Sequence, residues 1–236
     1  MAVRVFGGET MKISNFNLAI GIPCTFPFIP SSFFYSYSMM EKPDHVFIHA
    51  DNGPIDTLRN DIVEKALAIR ATHLIMMDVD MIYHPKTITR LLSHKLPLVG
   101  ALCFRRYPPF DSIMLRETDR GYESVDKWEE DELVEVDATG AGCLMFDMSL
   151  FRKMPRPWFR FQKNADTGAV IGEDIGFCQE LKAAGYKIFV DTAVPCDHLT
   201  TFAVNRQTHI LYSSMKAAEW KKRAAMGQID EVTQPQ

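Results

Sequence analysis

The side chains with the most chemical potential are two aspartates one residue apart, Asp78-Val79-Asp80, closing the apolar run Leu74-Ile75-Met76-Met77. With 17 aspartates in the chain, an Asp-x-Asp spacing arises readily by chance, so its context carries the weight. The run reads as a buried strand, and ligands of open α/β sheets bind at the C-terminal edge of such strands. In extended backbone, residues i and i+2 project to one side, so the two carboxylates converge. Such a pair offers hard oxygen ligands to Mn2+ or Mg2+, and a diphosphate can fill the remaining positions. The alternative is a solvated turn after the strand.

Three further pieces invite the same question. His198 follows Ala193-Val194-Pro195-Cys196-Asp197, beyond the last expected strand. It is either an ordinary surface or packing histidine or a ligand suited to Mn2+ more than to Mg2+. Gly172-Glu173-Asp174 opens a helical stretch. Acids in a first turn serve the helix dipole, or one of them takes a proton from an attacking hydroxyl. Gly140 and Gly142 suit either a tight turn or a backbone that approaches a ligand closely.

The elements that must position these residues are legible as alternating apolar runs and amphipathic stretches. Strands are expected at Asn17–Ile22, His45–Ala50, Thr72–Met77 and Leu96–Phe104. Helices are expected at Ser31–Met40, from Pro54 through Ile69, and from Pro85 to Leu92. This alternation implies βαβ units and a largely parallel sheet, an α/β class. After Phe104 the pattern changes. Arg116–Asp137 holds ten acidic against three basic residues and reads as a solvated antiparallel hairpin with Val134 and Val136 inward. Cys143–Phe146 and Lys187–Val190 are short strands, and Ile175–Ala184 is a helix stopped by Gly185. A C-terminal helix, Arg206 to Met226, should turn Ile210, Leu211, Met215 and Ala218 inward, and Gly227–Gln236 reads as a frayed tail. Met11 is a second possible start.

Composition bounds the answer from outside. The 236 residues carry a net charge of −4, without the basic footprint of a protein that grips a phosphate backbone, so stable nucleic-acid binding is not expected. The apolar runs fall short of the roughly 20 residues that span a bilayer. The N-terminus lacks the pattern of a secretory signal, so a cytoplasmic location is expected. Five scattered cysteines with no Cys-x-x-Cys pair read as buried free thiols in a reducing compartment.

In order along the chain, these pieces resemble a GT-A fold glycosyltransferase, family-2-like. The resemblance covers Asn17 to Thr201. It rests on Ile55-Asp56-Thr57-Leu58-Arg59-Asn60, on the strand ending Asp78-Val79-Asp80, on Gly172-Glu173-Asp174-Ile175-Gly176-Phe177-Cys178, and on His198 in the place of a C-terminal metal-binding histidine. It implies a single domain with a nucleotide-binding half (17–104), an acceptor-side half (105–201) and a C-terminal helix and tail (202–236). Its sheet would be mostly parallel, flanked by helices, with a small antiparallel element. It further implies transfer of a sugar from a nucleotide-diphosphate donor, UDP-sugar favoured, to an acceptor hydroxyl. That acceptor would be a polysaccharide, a lipid carrier, a protein or a modified base.

Residue by residue, Pro23, Cys24 and Thr25 would border the nucleotide. Asp51 would meet base or ribose with Arg59 nearby, Asp78 would face ribose and metal, and Val79 would belong to the nucleotide site. Asp80 and His198 would hold Mn2+ (or Mg2+), and Gly140 and Gly142 would lie against the donor sugar. Asp174, or Glu173 beside it, would be the acceptor-activating base. Arg105, Arg106 and Trp158 are candidates for acceptor or diphosphate contacts, with core packing the alternative for Trp158. The absence of a membrane anchor and of a long C-terminal domain implies single additions rather than processive synthesis.

A haloacid-dehalogenase-type phosphohydrolase also places Asp-x-Asp after an apolar strand, but usually the first one, with Thr or Val four residues after the first Asp; here Ile82 stands there. A nucleotidyltransferase wants a Gly-rich basic loop after the first strand, and Pro23–Ile29 provides neither feature. A sugar-nucleotide-binding protein without turnover is the non-enzymatic alternative.

Overall fold

A computed structural model of the chain describes residues 18–164 and 167–225. Asn17, the Met11 start, Met226 and the Gly227–Gln236 tail lie outside them. The chain divides into two compact units, one reaching to Leu199 and one beginning at Thr200.

In the first unit the chain runs through β1 (Leu18–Pro23), α1 (Ser31–Met39), β2 (His45–Ala50), α2 (Ile55–Ala68), β3 (His73–Met77), β4 (Met81–Ile82), α3 (Thr87–Ser93) and β5 (Leu98–Cys103). It continues through β6 (Met114–Thr118), β7 (Gly121–Ser124), β8 (Leu133–Val136), β9 (Ala138–Thr139), β10 (Cys143–Asp147) and α4 (Met148–Lys153). It closes with β11 (Gln162–Lys163), β12 (Val170–Ile171), α5 (Glu173–Ala183) and β13 (Ile188–His198). The central sheet has the order β2-β1-β3-β10-β5-β13-β4, with β8 beside β13. Strands β2, β1, β3, β5 and β13 point one way, and β10 lies antiparallel between β3 and β5. The sheet is therefore mostly parallel and flanked by helices, as expected, with small antiparallel sheets formed by β7-β6-β9 and β11-β12.

The apolar run of β3 has a direct cause: alternate residues serve two different cores. Leu74 and Met76 pack with Leu58, Ile62 and Ala66 of α2 and Phe177 of α5, while Ile75 and Met77 pack with Phe33 of α1 and Leu91 of α3. A strand covered on both faces has no polar side to show. Trp158 belongs to the first core, 2% exposed, with its indole Nε1 donating to the carbonyls of Phe151 and Met154. That is the packing alternative, not a ligand contact. All five cysteines are free and buried, and burial pushes the Cys178 thiol up to about 12.

Several expectations are corrected. The antiparallel hairpin is β6–β7; Val134 and Val136 are inward, as expected, but on β8, which pairs with β13. The last strand runs not from Lys187 to Val190 but on to His198, bent by an irregularity between Asp191 and Pro195 that lets it switch register and continue. In the second unit α6 (Arg206–Ala225) forms, but Ile210, Leu211, Met215 and Ala218 are exposed. Among the described residues of that unit, α6 has no second layer to cover an apolar face.

Candidate active site

Because β1, β2 and β3 are parallel, their C-terminal ends open on one edge, and a cleft of about 410 Å3 lies there. Its walls are Pro23, Cys24, Thr25 and Phe26 after β1, Gly53 to Ile55 with Leu58 and Arg59 at the start of α2, and Asp78, Val79, Asp80 and Arg106. The sequence pointed to most of these, but Phe26 carried no signal beyond being apolar.

The Asp-x-Asp segment does not stay extended. The chain turns at Val79 and Asp80, pinned by Asp78 N donating to Gly142 O and by Leu199 N donating to Asp80 O. The Tyr83 hydroxyl, buried beneath, lies within hydrogen-bonding distance of the carbonyls of Asp78 and Gly142. The turn sends the two carboxylates to different partners instead of to one point.

Asp78 faces inward. Its Oδ2 accepts from Arg59 Nη2 at 3.0 Å, while Arg59 Nε donates to Glu173 Oε1 at 3.1 Å and Nη1 to Ala141 O at 3.2 Å. Arg59 is 4% exposed at its side chain. Burial works against its charge, and the carboxylates of Asp78 and Glu173 outweigh it, so the guanidinium stays protonated. Burial raises the Asp78 and Glu173 carboxyls, and Arg59 opposes the shift in both. The resemblance puts Arg59 beside the nucleotide. The structure places it in the cleft wall with its donors turned to protein acceptors, knotting β3, the Gly140–Gly142 segment and the start of α5 together. The second oxygen of Asp78, Oδ1, is buried without a hydrogen-bond partner among the described residues.

Asp80 faces the other way. Its Oδ2 lies 3.4 Å from His198 Nε2 and 3.0 Å from Arg106 Nη1. His198 reaches it because the extension of β13 pairs with β4, setting His198 against Met81. Phe104 O can only accept, so His198 Nδ1 carries a proton and donates to it at 2.7 Å. In the neutral ring this leaves the Nε2 lone pair toward Asp80, the posture of a ligating histidine. Burial tends to raise the Asp80 carboxyl, but His198 and Arg106 hold it below its ordinary value; His198 is in turn raised by Asp80 against its burial.

Among the described residues, no group of three or more ligating side chains is gathered. The donors that fit Mn2+ are one carboxylate, Asp80, and one imidazole nitrogen, His198 Nε2, with the remaining positions open to a diphosphate. Asp78 is drawn away from this pair by Arg59.

Gly140, Gly142, Glu173, Asp174 and His198 are not among the residues that line this cleft. A Cβ at Gly140 would sit 3.2 Å from Ile113 and 3.6 Å from Asp174 Oδ2, and one at Gly142 would sit 3.2 Å from Met81 Cε. Both glycines thus serve close packing. Asp174 is partly exposed and makes no ion pair among the described residues, and its Oδ1 accepts from Ile175 N. Asp51 is exposed near His49, outside the cleft wall. Arg105 faces a second cavity of about 360 Å3, lined also by Tyr122, Gly172, Ile175 and Gln179.

No family model matches the chain, and no curated protein matches it in sequence. Solved structures do resemble it. A197 from STIV aligns with a TM-score of 0.54 at 16% identity over 78% of this chain and 86% of that one. GalNAc-T7, in a structure with UDP, GalNAc and Mn2+, aligns with a TM-score of 0.54 at 11% identity over 80% of this chain. The match spans 45% of the GalNAc-T7 chain, less than half its length. At such identities the likeness concerns the fold, and that fold is GT-A-like, as the ordered motifs implied.

Proposed function

We propose that the chain is a metal-dependent glycosyltransferase that moves a sugar from a nucleotide-diphosphate donor, UDP-sugar by preference, to an acceptor hydroxyl. The observation that carries this reading is the meeting of Asp80 and His198 Nε2 at the C-terminal edge of β3, against a cleft large enough for a nucleotide. GalNAc-T7, similar in fold, is described with UDP, GalNAc and Mn2+, which supports the choice of donor and metal.

In this reading Pro23, Thr25 and Phe26 border the base, and the Asp78 carboxylate faces the ribose. Asp51, two residues before Gly53 of the cleft wall, makes a further base or ribose contact. Asp80 and His198 would hold Mn2+ (or Mg2+), which supplies charge stabilisation to the departing nucleoside diphosphate. Arg59 fixes Asp78 and Glu173, so that Asp174, free of an ion pair, is the acceptor's base and Glu173 a support. The second cavity, beside Gly172 and Ile175, receives the acceptor. A reducing, cytoplasmic setting fits the five free thiols and the supply of nucleotide sugars.

The test is release of nucleoside diphosphate from UDP-sugars, with Mn2+ or EDTA, by wild type and Asp80→Asn. Metal-dependent release lost in Asp80→Asn supports the reading. Phosphate release from simple phosphoesters with no attack on any nucleotide sugar would replace it with the phosphohydrolase.

A further inference from the structure

The pairing of Asp80 with Arg106 has a consequence that rests on the function just proposed. One carboxylate oxygen, Asp80 Oδ2, faces both His198 Nε2 and Arg106 Nη1. A divalent cation between Asp80 and His198 would compete with the guanidinium for the charge of this carboxylate. Two cations cannot keep full hold of one oxygen at close range, since like charges repel steeply where water is partly excluded.

Arg106 stands on an exposed loop with few side-chain ties to the rest of the chain. The loop leaves β5 at Phe104, is closed at its root by Arg105 N donating to Asp111 O and by the bridge between Phe104 and Ser112, and turns at Phe110 N to Tyr107 O. Its outer part is exposed at Tyr107 and Phe110. Among the described residues, the Arg106–Asp80 bond is the one side-chain hydrogen bond that residues 105–110 make beyond the loop. The root of the loop is tied to the same place, because Phe104 O holds His198 Nδ1. Arg106 also lines the cleft in which the donor is proposed to lie.

We infer that Arg106 is an exchangeable clamp. With the cleft empty it pairs with Asp80; when metal and donor enter, it releases Asp80 and its guanidinium pairs with the donor's diphosphate. A planar fork of N–H donors suits phosphate oxygens as well as it suits a carboxylate. The exchange makes loading cooperative: metal frees the guanidinium that the diphosphate needs, and the diphosphate keeps the guanidinium off the metal's ligand.

The experiment measures equilibrium binding without turnover. Free Mn2+ is followed by electron paramagnetic resonance, and binding of UDP, UMP, GDP and GMP by calorimetry, on wild type, Arg106→Ala and Arg106→Lys. An exposed ion pair is a weak competitor, so Arg106→Ala is expected to bind Mn2+ alone about two- to fivefold more tightly. It is expected to bind the nucleoside diphosphate in Mn2+ about tenfold more weakly, as loss of a charge-assisted contact predicts. The monophosphate should be little affected, and Arg106→Lys should fall between. Normal diphosphate binding with unchanged Mn2+ affinity in Arg106→Ala would overturn the clamp and leave the proposed function standing. A wild type that binds neither Mn2+ nor any nucleotide overturns both.

Discussion

At the scale of single residues, the carboxylates divide the work by their partners. Asp78 and Glu173 share one buried guanidinium, and removing it leaves two carboxylates desolvated without their counter-charge. Arg59→Ala is therefore expected to lower unfolding stability by about 3–5 kcal/mol, read from urea denaturation. A loss below about 1 kcal/mol, the range of exposed pairs, would show that the knot is not structural. Glu173 and Asp174 are adjacent in sequence yet differ in partners, and their neutral amides should separate them. Asp174→Asn is expected to reduce kcat by about 10²- to 10⁴-fold with donor KM and thermal midpoint close to wild type. Glu173→Gln should lower the midpoint first. The reverse assignment would exchange these two signatures.

At the scale of elements, β13 is the piece that makes the site, and its bend is held from the side. Asp191, fully buried, accepts from Arg90 Nε and pairs with His94 Nε2, each at 2.6 Å, and also accepts from Ala193 N. Burial would raise this carboxyl, but Arg90 and His94 prevail and hold it below the ordinary value. A depressed carboxyl contributes stability that is complete above its unfolded pKa, about 3.9, and that is lost as pH falls toward the folded value. Wild type should thus be more stable than Asp191→Asn above pH 5, and the gap should shrink below pH 4, as read from denaturation midpoints across that range. A gap independent of pH would mean that the pairing contributes nothing through charge.

The same strand shows what a sequence can and cannot reveal. Apolar runs covered on both faces, such as β3 and β5, are plain in the residues because every position must be apolar. The Asp-x-Asp pair closing β3 is equally plain, but its turn is not: an extended segment with converging carboxylates is what the spacing suggests, and the chain turns at Val79 and Asp80 instead. The antiparallel placement of β10 between β3 and β5 was not readable, since a short apolar strand carries no sign of its direction. Nor was the run of β13 to His198, because Pro195 and polar residues interrupt its pattern while pairing with β4 and β5 sustains it. His198 could be suspected from its type and order, but its meeting with Asp80 depends on that long-range register. The Arg59 knot was hidden for a related reason: a charged residue on a helix reads as solvent-facing until the partners that bury it are known.

At the scale of the whole molecule, every described residue of the two cores lies before Leu199. A chain ending at Leu199 is therefore expected to keep a cooperative thermal transition within about 5 °C of the full chain, a shift that corresponds to roughly 1–2 kcal/mol at this size. Loss of the transition would show that the second unit is part of the first unit's stability. Among the described residues, no helix is long and apolar enough to cross a membrane.

Whether Asp80 anchors a nucleotide sugar through a metal can be read from thermal shift. UDP-, GDP-, CMP- and dTDP-sugars are added with and without Mn2+ to wild type and Asp80→Ala, since a ligand that binds only the native state raises its midpoint. The expected result is a rise with one nucleotide class, UDP foremost, that requires Mn2+ and disappears in Asp80→Ala. A midpoint unmoved by every nucleotide sugar, or moved equally in Asp80→Ala, would contradict it.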